Sequence, residues 1–62
     1  MKKQEIKHAI TNKTPLIWND PNPIEGNDYT INSISDMDEE TAIIQYGGAS
    51  EAEVYLTEIT TQ

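Results

Sequence analysis

The sequence predicts a mostly β fold with one short N-terminal helix, arranged as a small antiparallel barrel or a strongly bent meander. Three observations carry that expectation. Short β-type segments recur at 16–18, 29–34, 41–46 and 51–56, separated by clusters rich in Gly, Pro, Asn and Asp. The apolar residues of the later segments alternate, so each has one face to bury. Ahead of them, Ile6, Ala9 and Ile10 stand at helical spacing.

Residues 2–12 therefore read as one amphipathic helix with Lys3 and Lys7 turned outward. Asn12 suits its C-terminal cap, and Thr14-Pro15 stops it, because the residue before proline is pushed out of the helical region. Eleven residues do not hold a helix alone in water, so it has to dock, through Ile6 and Ile10. Residues 15–59 form the expected β-barrel, and helix and barrel together make one domain over 1–62.

Leu16-Ile17-Trp18 is the first strand. Asn19-Asp20-Pro21-Asn22-Pro23 then forbids regular structure, since neither proline can donate to a ladder. Ile24 is expected to pin this loop to the core, and Glu25-Gly26-Asn27-Asp28 supplies the next turn. Ala42, Ile44 and Tyr46 share a face with Ala52, Val54 and Leu56 if Ala42 lies opposite Leu56 and Ile44 opposite Val54. That pairing demands an odd loop, of three or five residues, around Gly47-Gly48-Ala49-Ser50. Tyr29, Ile31 and Ile34 break period two, which one extra residue at Asn32 or Ser33 repairs as a β-bulge. Ile34 then faces Ala42, Ile31 faces Ile44 and Tyr29 faces Tyr46. Ile59 returns to the core after a single turn, and Thr60 to Gln62 read as frayed.

Composition excludes more than it selects. The net charge is −7, all four Lys lie within the first thirteen residues, and ten of the eleven carboxylates begin at Asp20. An acidic chain without Arg repels nucleic-acid phosphates and has no bidentate clamp for them, so no nucleic acid is expected as a partner. No apolar stretch approaches the about 20 residues needed to cross a bilayer, so no membrane association is expected. Glu5, Lys7 and His8 interrupt any secretion signal, and the default location is cytoplasmic. Without Cys, neither a disulfide nor a thiolate metal site can staple the core.

A kinked long strand at 29–34, a Gly-containing hairpin at 47–48 and a short closing turn resemble the SH3-like small barrels in architecture. The chain lacks the Ala-Leu-Tyr-Asp-Tyr run and Trp-Trp pair of peptide-binding SH3 domains, so no functional residue carries over. It also resembles short uncharacterised proteins of Bacteroidetes bacteria, through the runs from Trp18 to Tyr29 and from Ser50 to Leu56. That second resemblance implies no activity.

Few residues point to chemistry. Asp36, Asp38 and Glu40 alternate like Ca²⁺ ligands, but Thr41 and Gly47 stand where an EF-hand needs Gly and Glu. They read as a solvated turn. His8 is the only imidazole and has no thiol or catalytic partner, and nothing selects a carboxylate pair from eleven. No enzyme, metal or cofactor is expected. The aromatic residues carry more. Alternation turns Ile43 and Tyr55 to the outer face beside Gln45, Glu51 and Glu53, and such an apolar pair needs a cover. Trp18 reads either as a core plug or as an exposed anchor. The expected interaction surface is therefore Trp18, Ile43, Tyr55, Glu51 and Glu53. It suits a small acidic interaction module that binds a basic or proline-containing peptide or forms a homodimer. The alternative is an acidic mimic of nucleic acid that inhibits a DNA- or RNA-binding enzyme.

Overall fold

A computed structural model describes residues 1–62 in the order α1 (Lys3–Thr11), β1 (Leu16–Trp18), β2 (Ile31–Met37), β3 (Thr41–Tyr46), β4 (Ser50–Tyr55), a 3₁₀ turn at Leu56–Glu58, and β5 (Ile59–Thr61). Two antiparallel sheets result, one ordered β2-β3-β4 and the other pairing β1 with β5. The fold is a bent meander, not a closed barrel. Closure fails because β4 has β3 as its only neighbour, while the 3₁₀ turn carries the chain away to pair Trp18 with Ile59 and Leu16 with Thr61. Thr60 and Thr61 are thus strand residues rather than frayed ones. Gln62 adds a backbone bond to the Pro15 carbonyl at 3.0 Å, extending the β region past residue 59.

Helix α1 starts where the Lys2 N–H donates to Glu5 Oε1 at 2.8 Å, satisfying one of the donors a helix leaves open. It ends in a Schellman motif. Asn12 is the C-cap; the Lys13 N–H bonds to the Ile10 carbonyl at 3.1 Å and the Thr14 N–H to the Ala9 carbonyl at 2.8 Å. The left-handed position falls on Lys13, whose φ is 56°. Ile6 is fully buried and Ala9 nearly so, but Ile10, expected to dock with Ile6, is 50% exposed. The buried stripe centres on Ile6 and Ala9 with Met1 alongside, leaving Ile10 on the lip of an apolar groove with Leu16, Ile31 and Ile34.

The β3–β4 hairpin keeps the expected parity in a different register. Ala42 pairs with Val54, Ile44 with Ala52 and Tyr46 with Ser50, two residues from the pairing expected. The reason is the loop. Of the two odd lengths, the shorter forms (Gly47-Gly48-Ala49), and Leu56 leaves the strand to open the 3₁₀ turn. Gly47 adopts φ 58°, and a Cβ there would lie 2.8 Å from the Asp28 carbonyl oxygen, so only glycine fits.

β2 carries two irregularities rather than one. Its register on β3 shifts between Ile31 and Ser33, near the expected bulge, and again between Ile34 and Asp36. Consequently Ile31, Ile34 and Met37, three apart, all pack on the core and pair with Tyr46, Ile44 and Ala42. Thr30 makes a single bridge to Ile17, tying β2 to the smaller sheet. Ile24 does not reach the core and is 64% exposed. Its loop is held by polar bonds instead. The Ile24 N–H donates to the Tyr29 hydroxyl, and the Asn22 N–H to Asp20 Oδ1, each at 2.9 Å.

The core joins Ile6 and Ala9 of the helix to Leu16, Ala42, Ile44, Val54, Leu56 and Ile59. Each large aliphatic side chain so buried contributes about 1.5–3 kcal/mol. No helix is long and apolar enough to cross a membrane.

Candidate functional site

Strict alternation along β3 and β4 builds two faces. Ala42, Ile44 and Val54 point to the core, which leaves Thr41, Ile43 and Gln45 on the outer face opposite Tyr55, Glu53 and Glu51 respectively. Four of the five residues expected to form an interaction surface thus share that face. Ile43 stands directly opposite Glu53 and diagonally from Tyr55. Tyr55 is 61% exposed, Ile43 half-buried, and both glutamates exposed.

The outer face is polar at one end and apolar at the other. Ser33 Oγ donates to Gln45 Oε1 at 2.8 Å, and Gln45 Nε2 donates to Ser35 Oγ at 3.1 Å and to Glu51 Oε2 at 2.8 Å. This network fixes the Gln45 amide and orients the Glu51 carboxylate. The only ion pair in the molecule joins Lys3 to Glu39 at 3.8 Å, so neither Glu51 nor Glu53 has a cation beside it. Past the end of β4, Glu39 and Glu40 line a depression with Lys2, Lys3 and Tyr55, where the charges of both signs balance, so the unpaired negative charge of this face is that of Glu51 and Glu53.

Trp18 does not join this face. Its ring meets Tyr46 and Tyr29 edge-on, at centroid distances of 5.1 and 5.6 Å, while Tyr29 stacks on Tyr46 at 5.6 Å. The Trp18 side chain packs against the core, and its Nε1 donates to Glu58 Oε1 at 3.2 Å. Of the two roles left open for Trp18, the structure gives it the inner one. Glu58 was not singled out by sequence. Its signal lies in its spacing: a carboxylate three residues after Tyr55 can reach back to the Tyr55 N–H, as it does at 3.2 Å.

The acidic turn between β2 and β3 is held by its own backbone. Asp38 Oδ1 accepts the N–H groups of Glu40 and Thr41 at 2.8 Å, and both Asp38 carboxylate oxygens accept from the Thr41 hydroxyl at 3.2 Å. The Thr41 and Glu40 amides hold the Asp38 carboxyl below the ordinary carboxylate range. Asp28 is lowered in the same way by the Thr30 amide, with the Thr30 hydroxyl second. Both are turn caps. Nowhere do three or more His, Asp or Glu side chains converge as a metal-binding group.

Comparison with known proteins finds no matching family model, no similar curated protein and no similar solved structure.

Proposed function

We propose that this chain is a small acidic interaction module, a binder rather than an enzyme, and that the outer face of β3 and β4 is its contact surface. One observation carries the reading. Tyr55 stands 61% exposed beside half-buried Ile43 on a sheet face that no element of the chain covers. Tyr is among the residues that most often anchor protein contacts, because it offers a large rigid ring and a polar tip at little entropic cost. The charge around it selects the partner. Glu51 and Glu53, which have no cation beside them, favour a basic segment and discourage an acidic one.

The test is selection from a displayed library of short random segments, followed by titration of the selected segments. Substituting Tyr55→Ala with Ile43→Ser should weaken them by roughly tenfold or more while the circular dichroism spectrum stays that of the parent. Selected segments that bind parent and double variant alike would place the contact elsewhere.

A further inference from the structure

We infer that the outer edge of β4 accepts an extended cationic segment as an added antiparallel strand, with basic side chains opposite Glu51 and Glu53 and an apolar one against Tyr55. This deepens the interaction-module reading and rests on it. The first support is the hydrogen-bond alternation of the β3–β4 ladder. The Leu56 N–H bonds to the Glu40 carbonyl at 2.8 Å, so with Ala42 opposite Val54 the bonded pairs are the even-numbered ones. The backbone groups of Glu51, Glu53 and Tyr55 therefore point away from β3. On the far side of β3 the same parity holds: the Thr41 carbonyl accepts from the Asp38 N–H on the β2 side. Glu58 takes the Tyr55 N–H. The N–H and C=O of both Glu51 and Glu53 remain as an unpaired template with the spacing of one strand.

The second support is how differently the chain treats its two sheet edges. β2 is interrupted by two register shifts and bridged to β1 through Thr30 and Ile17. Bulges and cover of this kind protect an edge from stray pairing. β4 pairs regularly along its whole length, has no proline or lysine, and no strand pairs with its outer edge. Its only protection is negative charge.

That charge decides the occupant. A second copy of β4 paired about a two-fold axis brings Glu53 against Glu53, or Glu51 against Glu53, and directly opposed like charges destabilise a ladder. Two chains of net charge −7 also repel as wholes. A strand with Lys or Arg at alternate positions reverses both effects. Main-chain bonds to Glu51 and Glu53 would hold it, and the alternate side chains would give the specificity.

The experiment titrates the full isotopically labelled chain, followed by NMR, with the blocked peptide Thr-Ile-Thr-Lys-Thr-Lys-Thr. In antiparallel register its Ile meets Tyr55 and its two Lys meet Glu53 and Glu51. The expected result is binding that moves the Glu51 and Glu53 amide signals most. Backbone N-methylation of both lysines keeps their charge but removes the bonding N–H groups, and should weaken binding about tenfold or more. Glu51→Gln with Glu53→Gln should weaken it as well and flatten its salt dependence. The inference is overturned if the parent peptide does not bind at millimolar concentration, or if the N-methylated peptide binds equally well. It is also overturned if sedimentation shows the edge occupied by a second copy. If N-methylation has no effect but the Tyr55→Ala, Ile43→Ser variant no longer binds, the interaction module stands and only strand addition falls. Binding indifferent to both changes removes both readings.

Discussion

The indole of Trp18 and the backbone of Tyr55 are joined through one oxygen: Trp18 Nε1 and the Tyr55 N–H each donate to Glu58 Oε1 at 3.2 Å. The carboxylate thereby links the β1–β5 sheet to the end of β4 across the gap where the barrel stays open. Hydrogen bonds to a charged group contribute about 1.5–3 kcal/mol when partly shielded, less when wet. Glu58→Ala should lower stability by about 1–2 kcal/mol in urea unfolding, with Glu58→Gln costing less because its amide oxygen still accepts. Equal stability of Glu58→Ala and parent would show that the shared oxygen holds nothing.

Ile44 is fully buried between Ile34 and Ala52 at the centre of the larger sheet. Truncating it removes apolar contact and leaves a cavity that the neighbouring strands fill only in part. Ile44→Ala should cost about 2–5 kcal/mol, a large part of the stability of a chain this short. The outer-face change Ile43→Ala, on the same strand, should cost much less. Denaturant midpoints of the two variants measure the contrast.

Two adjacent glycines should respond differently to alanine. At Gly47 a Cβ meets the Asp28 carbonyl at 2.8 Å and the backbone has φ 58°, whereas at Gly48 nothing lies within 4 Å. Gly47→Ala should lose about 1–2 kcal/mol or more from the left-handed backbone alone, and the close contact adds to that. Gly48→Ala should stay close to the parent. Thermal melts of the pair test the loop geometry directly.

Acid should unfold the chain partly through its turn caps. The folded-state pKa of Asp38 lies below the usual 3.8, chiefly through the Thr41 amide and then that of Glu40, and Asp28 is lowered by Thr30. A lowered folded value means that the folded chain binds fewer protons than the unfolded one in this window. The stabilisation is fully present above the unfolded value of 3.8 and is lost as pH falls through the lowered one. Both side chains are exposed, so the effect is modest. The melting temperature of Asp28→Asn, Asp38→Asn should approach that of the parent as pH drops below about 4. A gap that stays constant with pH would mean that the charge of these turns is irrelevant.

Much of this architecture was legible because side-chain alternation is binary. Ala42, Ile44 and Val54 had to share a face, and that in turn sent Ile43, Glu51, Glu53 and Tyr55 to the other. Register was not legible, because sliding the hairpin by two residues preserves every face and only the loop length distinguishes the choices. The second irregularity of β2 was hidden for a related reason. Met37 lies three residues beyond Ile34, and sequence alone does not show that an extra residue at Ser35 brings it inward. Trp18 resisted assignment because its role depends on Tyr29, Tyr46 and Glu58, which reach it only through the folded chain. Ile24 misled for the opposite reason. Hydroxyl and carboxylate bonds to the loop backbone already anchor it, so its apolar side chain has no anchoring left to do.

The pairing of β1 with β5 has a kinetic consequence. The three-stranded sheet is a sequential meander whose contacts need only short loops, so it is the part able to assemble first. Trp18 and Ile59 must then find each other across the whole of that meander, a closure that loses more chain entropy than either hairpin. Fully buried Ile59 begins that last strand and also completes the core beneath α1. Helix, first strand and last strand are therefore late and mutually dependent, and a nascent chain interrupted before Ile59 would hold the three-stranded sheet without β5, its apolar face still open to water.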